Sequence, residues 1–192
     1  MASIQLIVGL GTPGSDYDRT RHNAGFWFVD ALSRHKGVSL RHENKFHGET
    51  GQLRLDGHEC RLLKPLTYMN RSGQSVSALA RFYRIPPEQI LVVHDELDLP
   101  AGTARLKQGG GHGGHNGLRD ITSALGGNGF LRLRLGIGHP GHRDQVVDYV
   151  LKKPSKEDER LIEDAIDDAL HVVPQLLAGE TARAMNQLHS PR

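Results

Sequence analysis

Apolar and polar positions follow two different periods along this chain. The runs IQLIVGL at 4–10 and QILVV at 89–93 are short and almost wholly apolar, which is typical of buried strands. Residues 24–36 (AGFWFVDALSRHK) instead place apolar side chains at helical spacing, and Gly37 marks the end of that helix. We therefore predict that strands and helices alternate along the chain.

A tight hairpin interrupts this alternation. Asp56 and Gly57 separate two β-prone segments, 46–56 and 58–64, and Asp-Gly favours a two-residue turn between antiparallel strands. Parallel strands with crossover helices plus one hairpin predict an α/β fold, with a twisted mixed sheet and helices on both faces. No repeat, low-complexity tract or long linker is visible, so we expect a single domain over residues 1–192.

The remaining elements follow from the same patterns. In chain order they are a helix from Ser72 to about Tyr83, a strand at 103–108, a helix at 118–125 and a strand at 131–137. The last part of the chain is predicted to be helical, with Ser155 and Asp158 at capping-box spacing and Pro174 dividing it. Functional loops should lie at the strand ends, at 11–23, 65–71, 94–98 and 108–117.

Composition narrows the class of protein. Hydrophobic residues make up 37% and charged residues 24%, a globular balance, and no apolar run is long enough to cross a membrane. The start of the chain does not resemble a signal peptide, so we expect a cytoplasmic protein. The single cysteine, Cys60, lies in an apolar run and is interpreted as structural rather than catalytic. A net charge of +2 leaves nucleic-acid binding to a local basic patch.

The first glycines imitate a dinucleotide-binding fingerprint. Gly9, Gly11 and Gly14 spell GxGxxG after a strand. However, the segment after Gly14 has no apolar helical face, and no acidic residue follows a second strand at ribose-binding distance. We interpret these glycines as a tight turn.

Three separate segments carry residues suited to one reactive site. His22 precedes a helix, and its ordinary pKa suits proton transfer from water, although a capping or surface role is the alternative. Asp95 lies in HDELD after a buried strand and could orient an imidazole; a metal-binding or merely solvated acidic turn is the alternative. Residues 109–117 contain six glycines together with His112 and His115, which could instead bind a metal.

Two asparagines add hydrogen-bonding amides next to helices. Asn70 and Asn116 can donate to a carbonyl or a developing oxyanion, although Asn116 could simply cap the following helix. There is no GxSxG motif and Cys60 is a poor nucleophile. Water activated by a histidine–aspartate pair is therefore the simplest mechanism.

Six motifs, in order, resemble the bacterial-type peptidyl-tRNA hydrolases. They are GLGTPG, YDRTRHNAG, TYMNRSG, HDELDLP, GGGHGGHNGLRDI and RLRLGIGHPG, and the resemblance spans about residues 4–190. It implies a monomer that cleaves the ester bond between a peptide and the 3′ end of a tRNA. Such an enzyme recycles tRNA from prematurely released peptidyl-tRNA. No metal, organic cofactor or membrane is implied.

The resemblance also assigns roles to individual residues. His22 matches the catalytic base and Asp95 its orienting carboxylate. Substrate contacts are implied for Tyr17, Tyr68, Met69, Asn70 and Asn116. Lys107 and Arg134 match residues that bind the tRNA acceptor end, and Arg105 is expected beside them. The alternation in LRLRLGI independently predicts a basic strand face at Arg132 and Arg134.

One position departs from the family pattern. The first motif of the family usually reads GLGNPG, whereas this chain has Thr12 in place of asparagine. Threonine lacks the two N–H donors of an amide, so we expect a weaker preference for N-blocked substrates.

Two other classes of protein remain open from the residues alone. A non-catalytic RNA-binding protein would use the basic face but leave His22 and Asp95 without a task. A metallohydrolase would use His112, His115 and the acidic turn, but the usual metal-ligand spacing is absent.

Overall fold

Seven strands form one mixed sheet in the computed structural model, which describes residues 2–191. The strands are β1 (Leu6–Gly9), β2 (Arg41–Glu43), β3 (Gly48–Leu55), β4 (His58–Pro65), β5 (Ile90–Glu96), β6 (Ala104–Gln108) and β7 (Leu131–Gly136). Their order across the sheet is β2-β3-β4-β1-β5-β7-β6. The central strands β4, β1, β5 and β7 are parallel, and the outer strands pair antiparallel.

Helices cover both faces of this sheet, as predicted. They are α1 (Ala24–Lys36), α2 (Ser72–Phe82), α3 (Asn116–Leu125), α4 (Val146–Val150), α5 (Lys156–Leu170), α6 (Val173–Leu177) and α7 (Thr181–His189). The core on one face contains apolar side chains of α1, α5, α6 and α7, and the core on the other face contains those of α2 and α3. Among residues 2–191, no helix is both long enough and apolar enough to cross a membrane.

The predicted hairpin joins β3 to β4. Leu55 pairs with His58, and the two turn residues Asp56 and Gly57 have φ angles of 51° and 81°. Positive φ at both central positions defines the turn type that matches the twist of paired strands. The Asp-Gly prediction is confirmed.

The glycines after β1 allow a helix to approach the sheet closely. A Cβ atom at Gly9 would lie 2.3 Å from the carbonyl oxygen of Gly25, and one at Gly11 would lie 2.6 Å from the Phe26 ring. The chain turns through Gly14 into a short 3-10 turn, Ser15–Tyr17, rather than into a long helix. These contacts support the interpretation as a tight turn.

The central strand β5 is longer than the sequence pattern indicates. The apolar run ends at Val93, but pairing with β7 continues, with His94 opposite Arg134 and Asp95 opposite Leu135. Asp95 therefore belongs to the strand and not to the turn after it. Since the ends of parallel strands form the ligand-binding edge of such sheets, this places the carboxylate at a fixed point of that edge.

Candidate active site

His22 lies in a 3-10 turn, Arg21–Asn23, immediately before α1. The neighbouring Asn23 is fully buried and holds this turn to the first loop. Its Oδ1 accepts a hydrogen bond from the Thr12 N–H at 2.7 Å, and its Nδ2 donates to the Thr12 carbonyl at 2.9 Å. The loop after β1 and the His22 turn are thus fixed to each other. This role of Asn23 was not predicted from the sequence.

The His22 imidazole contacts the Asp95 carboxylate, although 73 positions separate them in the chain. Nδ1 of His22 lies 2.9 Å from Oδ2 of Asp95, and the Asp95 side chain is only 3% exposed. Burial disfavours a charged His22, but attraction to Asp95 and this hydrogen bond outweigh burial and raise the pKa of His22. With Nδ1 donating to Asp95, Nε2 is left as the basic nitrogen.

A second imidazole holds the same carboxylate. His115 Nε2 lies 2.8 Å from Asp95 Oδ1, and His115 Nδ1 accepts from the N–H groups of Gly117 and Leu118. Since Nδ1 is the acceptor, the proton of a neutral ring is on Nε2, which therefore donates to Asp95. Burial opposes the charged form of Asp95, but His22 and His115 keep its pKa well below the ordinary range. His115 was predicted only as a possible metal ligand.

The hydrogen bonds of His115 argue against a metal at this cluster. Ligand atoms of His22, Asp95 and His115 lie within 4.8 Å of one another, which is compact enough to surround an ion. A metal on His115 Nε2 would require a proton on Nδ1, and that proton would face two backbone N–H donors. The donor set therefore fits hydrogen bonding better than metal coordination.

His94 lies beneath these groups in the interior. Its Nδ1 donates to the carbonyl of Asp95 at 2.8 Å, and its ring packs edge-on against His115 with centroids 5.2 Å apart. Burial, followed by repulsion from His115, lowers the pKa of His94 to about 3. His94 is therefore neutral and packs against Asp95 and His115.

A cleft of about 680 Å³ opens over the His22–Asp95 pair. Its polar side is formed by the end of β5, the glycine-rich loop and Asn116. The cleft is also lined by four apolar residues of α4 and the position after it, which we call the apolar wall: Val146, Val147, Val150 and Leu151. His139 and Arg143, which precede α4 in the chain, line the cleft as well. The cleft thus surrounds a reactive imidazole with hydrogen-bonding groups, a cationic side chain and apolar groups.

Of the predicted substrate residues, the structure brings Asn116 into this cleft, and it places Met69, Asn70 and Tyr68 near the start of α3. Asn116 is exposed, lines the cleft and is the first residue of α3; the N-cap is His115, so the capping alternative for Asn116 is wrong. Met69 is buried next to it, since a Cβ at Gly117 would lie 2.8 Å from the Met69 sulfur. Asn70 and Tyr68 are exposed beside Met69, and Tyr68 is 75% exposed.

Two other predicted contacts lie in the first loop. Thr12 is half-buried, and its backbone is bound to Asn23, so its side chain is carried on the same fixed loop as His22. Tyr17 is half-buried in the 3-10 turn that follows. Neither residue lines the main cleft over His22.

The predicted basic face is only partly available to a ligand. Arg105 and Lys107 on β6 are exposed and pair opposite Arg134 and Arg132 on β7. Arg134 is bound to Glu96 at 2.9 Å, and it lines a smaller cleft with Lys107. Arg132 does not belong to an open basic surface as predicted, because it is 2% exposed and donates to the carbonyls of Gly110 and Gly111. It supports the glycine-rich loop instead.

An imidazole and a carboxylate at the end of a central strand, inside a cleft, are typical of a hydrolytic enzyme with an α/β fold. Comparisons with known proteins agree with this class. The family model described as "Peptidyl-tRNA hydrolase" matches residues 6–192. The peptidyl-tRNA hydrolase of Halorhodospira halophila is 62% identical, covering 97% of this chain and 96% of its own. That of Pseudomonas paraeruginosa is 58% identical over 100% of both chains.

Solved structures give the same result. The crystal structure of peptidyl-tRNA hydrolase from Acinetobacter baumannii matches with a TM-score of 0.97 and 54% identity, covering 100% of this chain and 97% of that chain. The chain belongs to the peptidyl-tRNA hydrolase family. Hydrolysis of peptidyl-tRNA is the function of this family, and the chain is a hydrolase that acts on an ester bond. The predicted family, fold class and enzyme class are confirmed.

Proposed function

We propose that His22 is the general base of this hydrolase and that Asp95 orients it. The substrate is a tRNA whose 3′ end carries a peptide or an N-blocked aminoacyl group, and its cleavage recycles tRNA from prematurely released peptidyl-tRNA. The observation that carries the proposal is the contact of 2.9 Å between His22 Nδ1 and Asp95 Oδ2 within the cleft. It leaves His22 Nε2 free to accept a proton from water.

The proposed reaction needs no covalent enzyme intermediate. His22 Nε2 removes a proton from water, and the resulting hydroxide attacks the ester carbonyl carbon. The bond from that carbon to the ribose oxygen then breaks, and His22 returns the proton to this oxygen. Asp95 stabilises the imidazolium between these two steps, and it is itself fixed by His115.

Neutral amides contribute hydrogen bonds to the reacting ester. Asn116 lines the cleft with His22 and can donate to the carbonyl oxygen as negative charge develops there. Asn70 and Tyr68, with the buried Met69 beneath them, bind the substrate beside the cleft. Tyr17 and Thr12 contact the substrate from the first loop, outside the main cleft. Because Thr12 replaces the asparagine of the family pattern, the carbonyl contacts fall mainly to Asn70 and Asn116.

The remaining assignments complete the proposal. The acceptor end of the tRNA binds the exposed Lys107 and Arg105 and the half-buried Arg134, since cationic side chains contact phosphates without reading bases. The enzyme works as a monomer in the cytoplasm, as one domain of residues 1–192, with neither metal nor organic cofactor. Residues 1 and 192 of that range lie outside the described residues.

Replacing His22 by alanine tests the proposal. His22→Ala should abolish turnover of N-acetyl-aminoacyl-tRNA in EDTA, with unchanged thermal unfolding and tRNA affinity. The matched control is His42→Ala, which removes an exposed imidazole on the edge strand β2 and should retain the wild-type rate. Wild-type turnover by His22→Ala would refute the assignment, and loss of wild-type activity in EDTA would indicate a metal.

A further inference from the structure

The side chain of His189, the last residue of α7, binds the backbone of the edge strand β6. Its Nε2 accepts a hydrogen bond of 3.0 Å from the N–H of Leu106, although 83 positions separate the two residues in the chain. Since Nε2 is the acceptor, the proton of the neutral ring lies on Nδ1. Burial, followed by repulsion from Arg105, lowers the pKa of His189, which keeps the ring neutral and Nε2 able to accept.

This hydrogen bond gives β6 a partner on its outer side. The strand lies at the edge of the sheet, where within residues 2–191 it pairs with β7 alone. Backbone N–H groups along such a strand point alternately to the neighbouring strand and to the open side. Because the Leu106 N–H binds His189, it belongs to the open side, and β6 is held from both sides at this residue.

The residues before and after Leu106 are two cations of the proposed tRNA surface. Leu106 is 4% exposed and packs in the core, so the side chains of Arg105 and Lys107 point to the opposite face, where both are exposed. Their spacing from Arg134 on β7 depends on where the backbone of β6 lies. A group that fixes this backbone at Leu106 therefore fixes both cations at once.

Helix α7 is anchored well enough to support the strand. Thr181 and Ala184 are 4% and 0% exposed, and Met185 and Leu188 pack against the core. His189 follows these residues at the end of the helix, and it is only half-buried. Its bond to β6, rather than its packing, is thus its main contact with the rest of the fold.

We propose that His189 is a positioning residue for tRNA binding, which holds Arg105 and Lys107 where they meet the phosphates of the acceptor end. This inference rests on the proposed function, because it takes these two cations to contact the tRNA. His189 supplies an acceptor to the backbone and no charge to the RNA. It should therefore act on substrate binding and not on the chemistry at His22.

Removal of the acceptor should weaken the binding of intact tRNA substrates. His189→Leu should raise KM for peptidyl-tRNA about fivefold with kcat unchanged, an effect of the size of one neutral hydrogen bond. A short 3′-end mimic that lacks the acceptor stem should keep its wild-type KM. His189→Gln should restore the wild-type KM for intact tRNA, because its Oε1 can accept from Leu106 in place of Nε2.

The matched control is His171→Leu, which removes an exposed imidazole directly after α5 and should keep the wild-type KM. Thermal unfolding of each variant checks the fold, and His189→Ser replaces His189→Leu if the latter does not fold. Amide exchange in the free enzyme tests the hydrogen bond apart from activity. The Leu106 N–H should exchange about tenfold faster in His189→Leu than in wild type, and His189→Gln should slow it again.

A background without the two cations separates this inference from the proposed function. In Arg105→Ala/Lys107→Ala, His189→Leu should raise KM no further, because the side chains through which it acts are gone. A further rise in KM, a lower kcat on the 3′-end mimic, or failure of His189→Gln to restore KM would overturn the inference alone. If Arg105→Ala/Lys107→Ala left KM for intact tRNA unchanged, the proposed tRNA surface would be wrong and the inference with it.

Discussion

The interior of the site and its rim differ in whether their polar side chains already have partners within the protein. In the interior, Asp95 is bound by both His22 and His115, and their side chains are 15% exposed or less. On the rim, Asn116 and Lys107 are exposed and bind no other described side chain. The interior hydrogen bonds are already formed without substrate, whereas the rim residues, in the proposed function, gain their partners from the substrate. Interior variants should therefore lower kcat, and rim variants should mainly raise KM.

Asn116 lies on the rim, but we expect its substitution to lower kcat rather than raise KM. It is therefore the position that tests the difference between interior and rim most severely. In the proposed function its amide donates to charge that develops only in the transition state, so Asn116→Ala should lower kcat on the order of a hundredfold. Single-turnover rates at saturating enzyme measure this directly. Asn116→Asp keeps the shape but cannot donate, so it should be equally slow. A change in KM alone would place Asn116 with the other rim residues.

His115 tests the interior. His115→Ala removes one of the two donors to Asp95 and should lower kcat roughly tenfold to a hundredfold, because the carboxylate then holds His22 less firmly. Loss of the helix cap also costs stability, about 1 kcal/mol, which thermal unfolding measures. His115→Asn separates the two effects, since asparagine is a good N-cap but is too short for the bond to Asp95. A normal kcat in His115→Asn would contradict the role proposed for His115.

Lys107 tests the outer rim. Lys107→Glu should raise KM for intact peptidyl-tRNA about tenfold at low salt, and the difference should shrink as salt increases. A short 3′-end mimic that lacks the acceptor stem should be cleaved at the wild-type rate. Lys45→Glu, an exposed lysine near Phe82 on another surface, is the matched charge reversal. Equal effects of the two variants would show that Lys107 contributes only net charge.

Thr12 should give the smallest effect. The asparagine of the family pattern would restore the amide donors, so Thr12→Asn should increase the preference for N-acetyl-aminoacyl-tRNA over aminoacyl-tRNA by a few-fold. Rates on the two substrates, measured in parallel, give the preference. Identical preferences in wild type and variant would remove Thr12 from the substrate contacts.

The sequence predicted the elements better than the contacts between them. Helix α1 has the predicted bounds, and the hairpin at Asp56 and Gly57 was predicted from local turn chemistry. The strand β2 (Arg41–Glu43) was missed because it contains no apolar residue; it lies at the edge of the sheet, where within residues 2–191 it pairs with β3 alone. The helix α4 is only five residues long, too short to show a period.

In the site, too, the residues were predicted better than the contacts that they make. His22, Asp95 and Asn116 were predicted from their motifs, and the structure brings them to one cleft. The paired role of His115 was missed because it depends on which ring nitrogen faces Asp95. The misassignment of Arg132 has a related cause, since alternation gives the face of a strand but not what covers that face. The glycine-rich loop covers Arg132.

The pH dependence of wild type and Asp95→Asn tests the central claim most directly. Only neutral His22 can accept a proton, so kcat/KM of the wild type should fall as pH drops through the His22 pKa. Asp95 raises that pKa above 6.5, so the decline should be centred above this value. In Asp95→Asn the attraction is lost and burial dominates, so the midpoint of the residual activity should move to lower pH. An unchanged midpoint would contradict the assignment of His22 and Asp95 as the catalytic pair.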